Sequence, residues 1–121
     1  MSVEGTERFP KSARLRKRPQ FLRLSRSGKK SHTPNFVVIC ENNDCGETRL
    51  GITVSGKVGN AVVRNRLKRL VREFFRRRRH ELPPGLDILV IAKKTAADVS
   101  LAMVEDELGR SLANHRSYAK L

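Results

Sequence analysis

The stretch from Lys57 to Arg79, KVGNAVVRNRLKRLVREFFRRRR, constrains this chain more than any other, because it joins a helical apolar period to a dense run of positive charge. Val63, Leu67, Leu70, Val71 and Phe74 fall at i, i+4, i+7, i+8 and i+11. That spacing is one stripe of an amphipathic helix, which must face a core, with Phe75 at its margin. Arg64, Lys68, Arg72 and Arg79 follow one another down a neighbouring strip, and Asn65, Arg69 and Arg76 widen it into a face over about half the cylinder. Glu73 is the only acid in the stretch. Like charges at i,i+4 cost an isolated helix roughly 0.2–0.5 kcal/mol per pair, so stacking them is economical only beside a polyanion. The block Arg76 to Arg79 taken alone reads equally well as a solvated face.

The approach to this helix strengthens the polyanion reading. Lys57, Gly59 and Asn60 form a Gly-bearing loop whose backbone N–H groups, with the helix N-terminus, suit a phosphate. Asn65 lies between Arg64 and Arg66. Its amide both donates and accepts, as reading a base edge or a 2′-hydroxyl requires, while guanidinium groups hold phosphates in pairs of hydrogen bonds. The pattern predicts nucleic-acid binding.

At 121 residues the chain suits one domain, residues 1–121, with 1–13 and 115–121 expected to be flexible. Its 26 Lys plus Arg against 12 Asp plus Glu leave a net charge of +14, which a nucleic acid or an anionic membrane would relieve. No apolar run approaches the roughly 20 residues of a membrane span, and the basic helix reserves its apolar stripe for the strands, so no membrane partner is expected. The opening MSVEGTERFPKS lacks the apolar centre of a secretory signal, which predicts a cytoplasmic location. Cys40 and Cys45 are too few and wrongly spaced for a zinc knuckle, and both should be free thiols.

Arg14 to Arg18 is a basic entry segment, and Pro19 opens a short helix through Phe21, Leu22, Leu24 and Ser25 that Gly28 can end in a left-handed conformation. Lys29 to Pro34 leads into a largely buried strand at Phe36 to Cys40. Turn formers from Glu41 to Gly46 predict a hairpin onto the half-buried strand of Leu50, Ile52 and Val54. Arg77 and Arg78 rotate back toward the apolar stripe, so the helix leaves the core there or their stems reach out from its edge. Pro83-Pro84-Gly85 is a stop, and Leu86 to Ala92 suits a strand buried on both faces. A last helix from Ser100 to Asn114 has Leu101, Val104, Leu108 and Leu112 as its inner edge, and a basic tail frays from Ser111 onward.

A protein nuclease would need carboxylates gathered at a metal, or a His beside a second acid or base. Glu41, Asp44 and Glu47 crowd a turn and Glu105, Asp106 and Glu107 are consecutive on a helix, so both groups read as solvated acids. No catalytic residue, metal ligand or cofactor site is predicted on the chain.

The run GNAVVRNRLKRLVRE, preceded by RLGITVSGKVGNA from Arg49, resembles the signature of the bacterial ribonuclease P protein subunit. The similarity extends from about Arg14 to Leu112 through RLRKRPQF, Gly28, the strand opening at Phe36 and the ILVIA strand, in the family's order. It implies an α+β fold, an α/β sandwich with one mixed sheet of about four strands and three helices in the order αβββαβα. The βαβ crossover carrying the basic helix would be left-handed, against the general rule, and the first two helices would flank a groove on the sheet.

The resemblance also implies the partners, ribonuclease P RNA and precursor tRNA, with no DNA expected. The RNA subunit, with Mg²⁺ bound through the RNA, would remove the 5′ leader, and this chain would assist. Lys57, Asn60, Arg64, Asn65, Arg66, Lys68, Arg69 and Arg72 match the helix and loop that contact the catalytic RNA. Arg14, Arg16 and Lys17 would hold the leader backbone, and Phe21 and Phe36 match aromatic positions of the leader groove. Two positions depart from the family: Ser25 stands where a second Phe is usual, and Ile39 where an aromatic is common. A ribosomal or ribosome-assembly protein would share the charge and size, and a stand-alone nuclease would cleave without RNA.

Overall fold

Leu86–Ala92, LDILVIA, is apolar at every position but Asp87, and such a strand is stable only where both of its faces are covered. The computed structural model, which describes Leu24, Arg26 and residues 28–43, 46–82 and 84–120 with side chains as far as Ala113, places it inside a four-stranded mixed sheet. The strands are β1 (Lys29–His32), β2 (Phe36–Asn42), β3 (Arg49–Thr53) and β4 (Leu86–Ala92), in the spatial order β1-β2-β4-β3. β4 pairs antiparallel with β2 from Phe36↔Ala92 to Asn42↔Leu86 and parallel with β3 from Arg49↔Asp87 to Thr53↔Ile91.

This order overturns the expected hairpin between β2 and β3. The turn residues after Asn42 do reverse the chain, but the doubly apolar β4 takes the place beside β2, and β3, with Arg49 and Thr53 partly in water, takes the edge. The order αβββαβα implies a third strand before the basic helix, but the residues themselves do not mark β1 as that strand. Its sequence, KKSH, has no apolar alternation, and it is extended because β2 offers it an open edge from Lys29↔Cys40 to His32↔Val37.

Alternation divides the sheet into two faces. Phe36, Val38, Cys40, Leu50, Ile88 and Val90 point to one, where α1 (Ala61–Arg78) lays Leu67, Val71, Phe74 and Phe75 and α2 (Leu101–Lys120) lays Val104, Leu108 and Leu112. The expected apolar edges of both helices face the core, although Val63, Leu70 and Leu101 are only partly covered. α2 continues past the expected end at Asn114, since neither Pro nor a terminating Gly follows it. The other face carries Ile39 and Leu89 under Leu24, with Val37 and Ile91 partly buried beside them.

Gly28 corrects the sequence reading in its physical reason. Its φ is not positive, and Gly is required for space: a Cβ there would collide with Ile39 Cγ2 and lie 2.7 Å from Leu24 O. The chain thereby seats Leu24 on Ile39, with Gly28 N donating to Leu24 O at 2.9 Å.

Two buried carboxylates tie the layers together. Asp87, fully buried, accepts both arms of the Arg49 guanidinium at 2.8 Å and Asn43 Nδ2 at 2.8 Å, which offsets the desolvation of a charge on the central strand. Glu107, expected among solvated acids, is instead buried on α2. Its Oε1 accepts from Thr33 Oγ1 at 2.7 Å and from Asn35 N at 3.0 Å, and its Oε2 from Asn35 Nδ2, so it holds the β1–β2 turn against the helix. Glu107→Ala leaves those donors without their acceptor and is expected to destabilise the fold by about 1–3 kcal/mol in urea unfolding.

Burial also pushes the Cys40 thiol from 9.0 up to about 12. The unfolded chain loses that proton at lower pH than the folded one, so the thiol's contribution to stability is complete below about pH 9 and is lost as pH rises toward 12. A maleimide added at pH 8 should leave Cys40 unmodified in the folded protein and label it in denaturant, as peptide mass spectrometry would show.

Candidate nucleic-acid interface

The basic helix begins at a side-chain cap. Asn60 Oδ1 accepts from Val63 N at 3.0 Å, so Asn60 starts the helix while the rest of its side chain faces water. Lys57 and Gly59 lie in the preceding turn, which Val58 pins by burying its side chain in the core.

Docking of Leu67, Val71, Phe74 and Phe75 on the sheet sets the rotation of α1. The outward stripe is Val62, Asn65, Arg69, Arg72 and Arg76, of which all but Arg76 are exposed. Arg64 and Lys68, placed by the sequence pattern in open water, are half-buried shoulders of this face. The structure therefore gathers the predicted residues Asn65, Arg69 and Arg72 at the centre of one surface, with Arg64 and Lys68 along one flank.

Arg66 stands apart from them. Its Nη2 donates to Val99 O at 2.5 Å and its Nη1 to Ala97 O at 3.3 Å, which clamps the 3-10 turn Lys94–Asp98 and the entry to α2 onto α1. Nothing in the spacing of the motif indicates this brace, because the carbonyls come from a segment distant in sequence.

The terminal arginines are also committed within the fold. Glu73 accepts from Arg76 at 2.6 Å and from Arg77 at 2.8 Å, and these guanidinium groups, Arg76 first, hold its carboxyl below the usual range. Arg77 also reaches Glu105 of α2 at 3.3 Å, and Arg79 meets Glu47 of the β2–β3 connection at 2.8 Å. Arg78 does reach outward from the edge of the core, its guanidinium 5.7 Å from the centre of the Phe74 ring and 3.9 Å from Glu81. The exposed members of the predicted interface thus run through the middle of α1, at Asn65, Arg69 and Arg72, and not through the arginine run.

The predicted leader groove changes more. Phe36 is fully buried on the sheet face under α1 and α2 and offers no ring to a nucleotide. The reason is strand parity: Phe36 shares its side of β2 with Val38 and Cys40, and Val37 and Ile39 hold the other. Ile39 does face the groove side, but beneath Leu24. Arg14, Arg16, Lys17 and Phe21, like Ser25, lie outside the described residues. On the groove side, the side chains of Lys30, His32 and Thr53 are exposed and those of Val37 and Ile91 are half-buried. Among the described residues no group of three or more His, Cys, Asp or Glu is placed to hold a metal ion.

A mixed four-stranded sheet with two helices on one face, one of them turning a row of arginines and an asparagine to solvent, defines a small α+β domain built to meet a polyanion. The family model described as Ribonuclease P matches residues 9–116. The chain is 47% identical to the ribonuclease P protein component of Desulforapulum autotrophicum over 106 residues, 88% of this chain and 91% of that one. It is 50% identical over 111 residues to that of Desulfosudis oleivorans, covering 90% and 88% of the two chains. Among solved structures, the RNase P protein of Staphylococcus aureus superposes with a TM-score of 0.81 at 36% identity, covering 88% of this chain and 97% of that one. The chain belongs to the ribonuclease P protein family.

The exposed position of Arg69 and the bracing position of Arg66 predict different mutant behaviour. Arg69→Ala should weaken RNA binding and leave the thermal midpoint in place. Arg66→Ala should lower the midpoint by roughly 2–6 °C, and Arg66→Lys should lower it nearly as much, because an ammonium group keeps the charge but cannot span both carbonyls. Calorimetric melts beside filter binding measure both effects.

Proposed function

We propose that this chain is the protein subunit of ribonuclease P, that it binds the catalytic RNA through α1 and its approach loop, and that it guides the 5′ leader of precursor tRNA across the open face of the sheet. Family membership carries the first part. The outward face of α1 supports the second, since Asn65, Arg69 and Arg72 are exposed together on a helix whose other side is spent on the core. Lys57, Asn60, Arg64 and Lys68 extend that face, and Arg66 reaches RNA only with the part of its guanidinium that the Ala97 and Val99 carbonyls leave available.

The chemistry in this reading belongs to the RNA, together with the Mg²⁺ that the RNA holds; the described side chains present no cluster suited to that ion. The chain acts electrostatically. Its guanidinium and ammonium groups neutralise phosphates where the catalytic RNA and the leader converge, and that lowers the repulsion opposing the productive arrangement. Lys30 and His32 on the groove side, with Arg14, Arg16, Lys17 and Phe21 of the preceding segment, would hold the leader chiefly by its backbone. The reading places the chain in the cytoplasm with precursor tRNA; among the described residues no helix is long and apolar enough to cross a membrane.

Reconstitution with ribonuclease P RNA at low Mg²⁺ tests the proposal. Added protein should restore leader removal, and protein alone should cleave nothing. RNA binding should fall with salt at a log-log slope of about −3 to −5, as four to six neutralised phosphates would give once the internally paired arginines are set aside. Precursor affinity should follow leader length more than leader sequence. Cleavage by the protein without RNA, or a flat salt dependence, would sink the reading.

A further inference from the structure

Among the described residues the exposed large hydrophobic side chains are Val62, at 76%, and Met103, at 44%. Val62 is the less explicable of the two. It stands on the outward stripe of α1, with Asn65 one turn and Arg69 two turns farther along the same face.

The fold gains nothing from a valine there. A β-branched side chain is a poorer helix former than alanine, and at this exposure it buries little surface. The helix cap does not use it, because the bond from Asn60 is made to the backbone of Val63. Val63, one position on, packs against the core, so the apolar need of the first turn is already met.

An apolar side chain that shares its helix face with an amide and a guanidinium suits one class of RNA surface. A regular A-form duplex presents phosphates and 2′-hydroxyls and keeps its base faces stacked inside. An unpaired nucleotide presents a flat base face, a hydrogen-bonding edge and a phosphate together. The Val62 methyls, the Asn65 amide and the Arg69 guanidinium offer the counterpart of each.

We propose that Val62 is the contact for an unstacked nucleotide of the RNA partner, and that through it α1 selects folded RNA with unpaired nucleotides over plain duplex. The proposal rests on the RNA-binding role given to α1 above and adds to it the kind of nucleotide recognised.

The test compares the full chain with Val62→Ala and Val62→Thr, the second of which keeps the branched shape and exchanges a methyl for a hydroxyl. Binding is measured to ribonuclease P RNA and to a fully paired RNA duplex across a salt series. Both variants should bind ribonuclease P RNA about threefold to tenfold more weakly at fixed salt, with an unchanged log-log slope and an unchanged melting temperature. On the duplex they should equal the parent chain. In chemical probing, a nucleotide of the RNA protected by the parent chain should become reactive with Val62→Thr. Full affinity in both variants, or an equal loss on duplex and folded RNA, overturns the proposal. Failure of the parent chain itself to bind ribonuclease P RNA would instead overturn the role given to α1.

Discussion

The double burial of β4 is the constraint on which the rest of the molecule depends. Its residues alternate between two apolar environments, so β4 must lie inside the sheet, and its register with β2 and β3 sets which side of each neighbour faces which layer. Because β3 pairs parallel to β4, the connection between them has to travel back along the sheet, and α1 is that connection. The basic helix is therefore held at both ends by the central pairing of the sheet. Its apolar stripe joins the core cluster that includes Phe36, Val38, Ile88 and Val90, and Asn65, Arg69 and Arg72 on its other side are exposed.

Electrostatics then divides the positive charge. With a net charge of +14, the chain gains by placing its few acids against the cations that crowd most. Glu73, Glu105, Glu47 and Glu81 sit beside Arg76, Arg77, Arg79 and Arg78, at the end of α1 where the carbonyl dipoles also favour cations. Asn65 and Arg69, toward the start of the helix, remain exposed. A helix that is basic along its whole length in sequence thus has the cations of its last turn and just beyond it matched by acids.

Much of this was legible beforehand. The stripe of Leu67, Val71 and Phe74, the doubly apolar β4 and the inner edge Val104, Leu108 and Leu112 follow from periodicity, because side-chain direction in a regular element depends only on spacing. The sheet order was not legible, since turn residues show where a chain reverses and not which strand becomes its neighbour. The place of β1 came from the family order αβββαβα and not from its residues, because its extended backbone is stabilised by the edge of β2 and not by its own sequence. Phe36 was assigned to the groove by family position, and strand parity turned it to the other face. Glu107 looked like one acid of a solvated triplet until the β1–β2 turn arrived beside it with Thr33 and Asn35.

Sequence alone determined that one helix must present both a core stripe and a basic face, because the apolar period and the arginines occupy different sides of a single cylinder. Tertiary structure decided which of those basic residues are committed within the fold. The Ala97 and Val99 carbonyls that occupy Arg66, and the Glu47 and Glu105 carboxylates that meet Arg79 and Arg77, come from segments far along the chain. Hydrogen bonds and ion pairs form within about 3–4 Å, and only the folded chain brings such segments that close.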